Sequence, residues 1–530
     1  MPKESGQKSA RIAIQYFDGV NSTVSQSIAR RTELSHAENA RAPIIGVLEK
    51  REGQVKIGLD SDGGTFKTIG NYGLVYFDDG GTYSQGLIQI ASENGIAANM
   101  YYLNNSDVWV QVPNDNALGL SLEYADFAKV DNNLVIVNGI DSNRMITGSI
   151  GSSATVSTSA TAGSLYNSPR ARKIAYYKSR IYLADYFNSA GTELKTTVLR
   201  SSYPMGVVSL LNGDLTAVDG SGNWVFKVTD TKYFYTASGM NVYEIYRGSN
   251  KIATITISSM TESTITATNA NVTFTPTYSS FLSSDEVWIN GTFSGEKQYR
   301  WVSNGTIVGR DVKQYDTFKI SGGDEDPITM METIGNVLMI ANSNTMMAWN
   351  DYTLQSYDTS VGCCSRNGYI KSGGLYLLHY TGVYFTGGGV PQLVSRKVDR
   401  YIKGATKAGL EAGAMGKKDL SIFVAIGDST LYNDDGSVQT VLRDVCLEMN
   451  TADQNWYVHT NVTASMFESY TAESGKETIT MASVVPAKNE LLSSTNLINN
   501  GSFTGSSNGW VLGDNWVFDD INNTMTFVKP

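Results

Sequence analysis

GCCSRNGYIKSGGLYLLHYTGVYFTGGGVPQLVSRKVDRYI (residues 362–402) decides how the rest of the chain is read. Leu375, Leu377 and His379 alternate with Tyr376, Leu378 and Tyr380, and Gly382 opens a second run, Val383-Tyr384-Phe385. Alternation with period two is the mark of a strand, so the two runs predict a hairpin. Gly387-Gly388-Gly389 breaks the second run, because glycine accepts positive φ and offers no side chain to pack. Pro391 fixes the exit of the turn. Beyond it Leu393, Val398 and Ile402 fall near helical spacing, while Arg396, Lys397, Arg400 and Lys403 face elsewhere. The unit is a hairpin blade followed by a basic connector.

Outward from this stretch the same phrase recurs. KIAYYKSRIYLAD (173–185) turns at Lys178-Ser179-Arg180, and ITMMETIGNVLMIAN (328–342) turns at Ile334-Gly335-Asn336. DFAKVDNNLVIVN (126–138) is a looser copy. Each is a few strand residues, a polar turn and a strongly apolar strand. The spacing is irregular and lacks the WD or kelch signatures of the regular propellers. The reading is all-β: an irregular β-propeller, with unrelated hairpins in two sandwiches as the alternative. Further short strands are predicted at 54–58, 66–69, 73–77, 87–92, 96–103 and 108–112. Residues 148–167, GSIGSSATVSTSATAGSLYN, are small and polar and predict a long surface loop. Residues 224–290 carry about six threonine-rich short strands, which predict an inserted small β-barrel or sandwich. ATKAGLEAGAMG (405–416) predicts a short helix, followed by a strand at 420–426, a hairpin turn at Asp435-Gly436 and strands at 441–449 and 455–459. The expected division is an N-terminal arm and lead-in at 1–50, blades at 51–215, the inserted module at 216–300, blades at 301–485, and a C-terminal linker and β tail at 486–530. The polar arm either ties down a neighbour or is an ordinary terminus.

Composition narrows the function. The 530 residues carry 41 Lys and Arg against 51 Asp and Glu, a net charge of −10 that argues against a free nucleic-acid binder. A surface past which a polyanion slides should not grip it, because each neutralised phosphate adds affinity. No apolar run approaches the ~20 residues of a membrane helix. The opening MPKESGQKSARIAIQYFDG has no apolar core, so no secretory signal is expected. Three cysteines, with Cys363 and Cys364 adjacent and Cys446 alone, make no disulfide framework and suit a reducing compartment.

Catalytic signatures are missing. The three histidines, His36, His379 and His459, form no HExxH and no cysteine-spaced zinc set. Asp60-Ser61-Asp62-Gly63-Gly64 opens like a calcium loop but lacks the closing glutamate, so a plain turn is the better reading. Asp324-Glu325-Asp326, between Gly323 and Pro327, reads as a solvated loop. Walker A and strand-linked GxGxxG patterns do not occur. No enzyme, cofactor or metal site is expected, although dispersed carboxylates on a propeller would leave room for a glycosidase. Two basic clusters stand out: Arg170, Arg172, Lys173, Lys178 and Arg180, and then Arg396, Lys397, Arg400, Lys403 and Lys407. Either faces a DNA path or an acidic subunit, or is simply a solvated face.

The order of phrases over 362–427 resembles the tail hub, or nozzle, proteins of short-tailed bacteriophages: GGLYLLHY, a glycine-rich turn, VPQLVSRKVDRYI, ATKAGLEAGAMG and DLSIFVAIG. ENARAPIIGVLEKREG (38–53) is similar to that family's opening and ARKIAYYKSRIYLAD (171–185) to its next blade. The inserted module and the segment 496–530 depart from the pattern. The resemblance implies a non-catalytic virion protein, assembled in the host cytoplasm, in a homo-oligomeric six-fold ring. Such a ring sits below portal and adaptor proteins, passes double-stranded DNA through its channel and carries fibres or spikes outside. On that expectation Arg170, Arg172, Lys173, Arg396, Lys397, Arg400 and Lys403 are candidate channel or subunit contacts. The alternative is a receptor- or glycan-binding tail protein. NLINNGSFTGSSNGW (496–510) resembles the start of jelly-roll carbohydrate-binding modules, in which Trp510 and Trp516 would stack on sugar rings. The remaining 35 residues are short for such a module, and a strand docking on a neighbour fits them better.

Overall fold

The computed structural model describes most of residues 68–201, 222–297 and 326–482. It also describes 20–22, 38–44, 47–50, 317–320 and short pieces at 57–59, 215–216, 516–519 and 524–527. The architecture is all-β and of β-propeller type, built from four-stranded antiparallel meanders in chain order. The chain forms two compact units, one of residues 57–328 and 482–530, the other of residues 1–56 and 329–481.

The unit of residues 57–328 and 482–530 holds three blades. Blade A is Gly70–Tyr76, Ser84–Ser92, Asn99–Asn104 and Trp109–Gln111. Blade B is Asp126–Val130, Asn133–Val137, Arg144–Thr147 and Thr155–Thr158. Blade C is Ala171–Tyr177, Arg180–Phe187, Glu193–Arg200 and Thr317–Lys319. In blades B and C the second strand is the apolar one of the sequence phrase and is buried on both faces. One apolar cluster joins Ile88, Ile90 and Met100 of blade A to Leu134 and Ile136 of blade B. A second joins Val135 and Val137 to Ile174, Ile181 and Leu183 of blade C. The tight turn of blade C puts both Lys178 (φ 47°) and Ser179 (φ 58°) in the left-handed region, the two-residue geometry that matches strand twist.

The third and fourth strands of blade C, Glu193–Arg200 and Thr317–Lys319, are hydrogen-bonded neighbours. Everything between them is therefore an excursion from one blade. Its described residues form two four-stranded sheets and the short hairpin of Thr292–Phe293 with Glu296–Lys297. Leu215–Thr216, Trp224–Lys227, Thr264–Ala267 and Ser259–Met260 make one. Val272–Phe274, Asn250–Thr256, Val242–Arg247 and Glu286–Trp288 make the other. Phe226 and Ile265 from the first sheet and Tyr243, Ile245 and Ile255 from the second share one core, with Phe281 edge-on to Trp224 and Phe226. The inserted module is a sandwich.

The unit of residues 1–56 and 329–481 holds three more blades. Blade D is Met330–Ile334, Val337–Ala341, Met346–Trp349 and Leu354–Ser356. Blade E is Tyr369–Lys371, Leu375–His379, Gly382–Thr386 and Gln392–Leu393. Blade F is Ala414–Lys418, Ser421–Tyr432, Val438–Asn450 and Trp456–His459. Met339 and Ala341 pack with Leu375 and Leu377 between D and E. The largest core joins Leu378 and Val383 of blade E, the connector residues Val398, Tyr401 and Ile402, and Val424, Leu447 and Trp456 of blade F.

Several local expectations change. Residues 148–167 are not all loop: Thr155–Thr158 is the fourth strand of blade B, paired with Arg144–Thr147. An edge strand needs only one buried face, so a small polar sequence suffices. Ile96 is 82% exposed in a bend before Asn99–Asn104, so that strand starts later than its apolar run. Leu393 lies in a strand, not on the connector helix. Residues 405–416 hold the one-turn helix Lys407–Glu411, and Ala414–Lys418 is already the first strand of blade F. The turn at Asp60–Gly64, Asp324, Glu325, Trp510 and most of the arm lie outside the described residues.

Candidate assembly surface

Between blades E and F the connector turns once as a 3-10 helix, Arg396–Val398, and continues as the α-helix Asp399–Gly404. Ser395 starts it: its Oγ accepts from the Val383 amide at 2.9 Å, which fastens the connector to blade E. Val398, Tyr401 and Ile402 are fully buried, as the helical spacing of the apolar positions requires. Ser429 Oγ donates to the Tyr401 carbonyl at 2.7 Å, and burial pushes the Tyr401 phenol up to about 12. The basic residues take the outer side. Lys397 Nζ donates to Asn455 Oδ1 at 3.2 Å, and Arg400 Nη2 donates to Gln439 Oε1 at 2.6 Å. Lys403 pairs with Asp399 at 2.6 Å, one helical turn back. Lys407 pairs with Glu411 at 3.6 Å and lies over the Tyr380 ring. Arg396 is exposed.

The earlier basic cluster lies in the other unit and is tied down more firmly. Lys173 is 1% exposed and its Nζ sits 3.2 Å from Asp126 Oδ1. Arg172 pairs with Glu193 at 2.7 Å and lies 3.8 Å from the buried Asp185. Arg170 donates to the Ile140 carbonyl at 3.0 Å, and both Arg170 and Arg172 lie over the Phe187 ring. Lys178 stays exposed at the turn. The Lys173 and Arg170 contacts tie blade C to blade B, while those of Arg172 stay within blade C, a distinction that a charge count cannot reveal.

Blade F carries a feature the sequence pattern splits into pieces. Its two central strands run 12 and 13 residues, against 5 and 4 for their outer neighbours. Ala414–Lys418 pairs only with residues 421–425, and Trp456–His459 only with residues 446–449. The distal part of the hairpin therefore extends past the blade. Leu431 and Leu442 on one face pack into the core over the connector. Tyr432 (54%), Val438 (57%) and Val441 (44%) face out. Arg443 pairs with Asp428 on the same stretch, and Arg400 braces the tip through Gln439. Gly427 and Asp428 interrupt the apolar alternation at register irregularities, which hides the continuity of the strand from a sequence reading.

The free edge of Trp456–His459 is covered by the N-terminal segment. Val20 N donates to the Trp456 carbonyl at 2.8 Å, and Asn39 N donates to the Val458 carbonyl at 2.8 Å. Ser22 bonds the Lys397 carbonyl twice, through its amide at 2.7 Å and its Oγ at 2.9 Å. Asn39 and Glu38 both reach the Thr460 side chain. Val20 is 1% exposed inside the large core. Burial of one valine contributes about 1.5–3 kcal/mol. Each hydrogen bond adds roughly 0.5–1.5 kcal/mol net. The first anchor, at residues 20–22, is thus held by roughly 3–7 kcal/mol.

Blade F also sets Cys446, Glu448 and His459 on one sheet face, since Cys446 pairs with His459 in register and Glu448 follows two residues on. His459 Nε2 lies 2.7 Å from Glu448 Oε2, and Ser421 Oγ donates to Glu448 Oε1 at 2.7 Å. A thiol, an imidazole and a carboxylate is a nucleophile–base–orienter set in composition. All three are at most 4% exposed, which closes the group to solvent, and His459 Nδ1 has no hydrogen-bond partner. The arrangement is a buried polar brace across three strands. Cys363 Sγ points at the Ser365 carbonyl (3.1 Å) and Cys364 Sγ at the Leu410 carbonyl (3.6 Å), and burial pushes the Cys364 thiol well up. Among the described residues no three His, Cys, Asp or Glu groups gather as metal ligands, and no helix is long and apolar enough to cross a membrane. Trp516 lies in the strand Trp516–Asp519, which pairs with Thr524–Phe527.

No family model matches the chain and no curated protein matches it. Many solved structures align with it, two of them as follows. YCF48 bound to a D1 peptide does so at 10% identity over 68% of this chain and 89% of that one, with a TM-score of 0.22. BamB from Moraxella catarrhalis does so at 10% identity over 73% of this chain and 95% of that one, with a TM-score of 0.27. Likenesses of this size carry nothing about activity or partners.

Proposed function

We propose that this chain is a structural subunit of a bacteriophage tail, a hub or nozzle protein that assembles with copies of itself into a ring around a DNA exit channel. In this reading the ring sits in the virion tail below portal and adaptor proteins, with fibres or spikes attached outside. The observation that supports it best is the local compensation of the basic residues. Arg172, Lys173, Lys403 and Lys407 each pair with a carboxylate, on blades joined by continuous apolar cores. A wall past which DNA with one charge per ~1.7 Å of axis must slide needs rigidity and little net attraction. The inserted sandwich and the long hairpin of blade F supply surface beyond what the blades need for their own cores. Negative-stain imaging of the purified chain and of particles bearing it tests the reading. Rings with an open central channel are expected. Isolated monomers at assembly concentrations, or a trimeric fibre, overturn it.

A further inference from the structure

We infer that the edge of Trp456–His459 together with the connector is a peptide-accepting site whose occupant in an assembly is residues 20–22 of a second copy of this chain. The inference deepens the ring reading by naming what one subunit places on the next.

The site is a built one. The Trp456 and Lys397 carbonyls accept the Val20 and Ser22 amides, Ser22 Oγ adds a second bond to Lys397, and Val20 fills a place in the core. An outer strand with unpaired backbone groups is a template for an added chain, and backbone bonds with one side-chain pocket are how extended peptides are recognised. The occupant comes from the same chain by a route that does not require it to be the same molecule. The Asn39 amide donates to the Val458 carbonyl, and the chain leads directly from there into Ala40–Ile44. Between residues 22 and 38 the chain can span at most about 55 Å when extended, far more than is needed to follow one four-residue strand. An identical neighbour offers identical contacts, so exchange costs little beyond bringing two copies together. Charge favours the same step. Residues 1–39 carry five Lys and Arg against four Asp and Glu, while the whole chain stands at −10, so the arm is the part that can approach another copy without like-charge repulsion.

The test uses the full chain with a photo-reactive amino acid at Ser22. Natural-isotope and 15N-labelled chains are each prepared unfolded, mixed in equal amounts, refolded together at assembly concentration, irradiated, digested and read by mass spectrometry. Exchange predicts crosslinks to residues 394–398 and 456–458 of which about half join a light to a heavy peptide. Crosslinks that are only light–light and heavy–heavy overturn the inference. The same experiment with the photo-reactive residue at Lys397 reads the acceptor side, and keeps the test decisive if the Ser22 variant folds poorly. Rings with same-isotope crosslinks alone would sink the exchange and leave the ring reading standing. Mixed-isotope crosslinks in open chains without rings would support the exchange and sink the closed ring.

Discussion

Lys173 Nζ stands 3.2 Å from Asp126 Oδ1, and the other oxygen of that carboxylate accepts the Ile174 amide at 2.9 Å. One aspartate at the start of blade B thus holds both the side chain and the backbone of blade C's first strand. Removing one partner of a buried pair leaves an uncompensated charge and costs about 3 kcal/mol. Asp126→Ala should therefore lower the unfolding midpoint sharply. Lys173→Met strands the Asp126 carboxylate in turn, but that group is partly exposed and keeps the Ile174 amide as a donor, so the loss should be smaller than for Asp126→Ala. Lys173→Met should also recover much of the loss in the Asp126→Ala background, because the stranded charge is gone. Thermal unfolding of the three variants reads this. No recovery by Lys173→Met in the Asp126→Ala background would mean that Asp126 acts through the Ile174 amide and not through the Lys173 charge.

The three thiols should be silent in the folded protein. Cys363, Cys364 and Cys446 are free and buried, and burial holds the Cys364 thiol in its protonated form. Titration with a thiol reagent at pH 8 should detect essentially none in native protein and all three in denaturant. Rapid native labelling of Cys363 or Cys364 would show that the start of blade E opens, against the continuity of its core.

His379 sets a pH dependence whose sign follows from its burial. Desolvation lowers its pKa below the ordinary 6.5, and its Nδ1 sits 2.8 Å from Thr381 Oγ1. The unfolded chain binds the proton more readily, so stability is full above about pH 6.5 and falls as pH drops from there toward the lowered folded value. His379→Gln should flatten that part of the stability profile between pH 7 and pH 5. An unchanged slope in the variant would assign the acid sensitivity to other groups.

The hairpin phrases around 173–185, 328–342 and 368–380 could be read from sequence because each places a doubly buried strand next to a tight polar turn. That local pattern needs no knowledge of partners. Edge strands such as Thr155–Thr158 and Leu354–Ser356 escaped because one-sided burial leaves no apolar run. The long hairpin of blade F escaped because Gly427 and Asp428 break its alternation. Spacing correctly put Val398 and Ile402 inward. It could not show that Lys403 closes on Asp399, or that Lys173 is the most buried charge of its cluster, since side-chain reach across blades is not written in local order.

Arg396 and Arg400 separate a folding role from an assembly role. Arg400 braces the projecting hairpin through Gln439 Oε1 at 2.6 Å, whereas Arg396 is exposed at the first turn of the connector, beside the Lys397 carbonyl that receives Ser22. Arg400→Glu should loosen the hairpin and cost on the order of 1 kcal/mol, the worth of a charge-assisted hydrogen bond at a partly exposed site. Arg396→Glu should leave the unfolding midpoint unchanged, since an exposed substitution away from packing lies within about 0.5 kcal/mol. On the ring reading both charge reversals still impair assembly or DNA ejection, because each puts a negative charge on a face that must meet an acidic neighbour. Differential scanning calorimetry with particle titre distinguishes the two effects. A normal titre and normal particles from the Arg396→Glu, Arg400→Glu double variant would return both residues to an ordinary solvated face and remove the connector from the assembly surface.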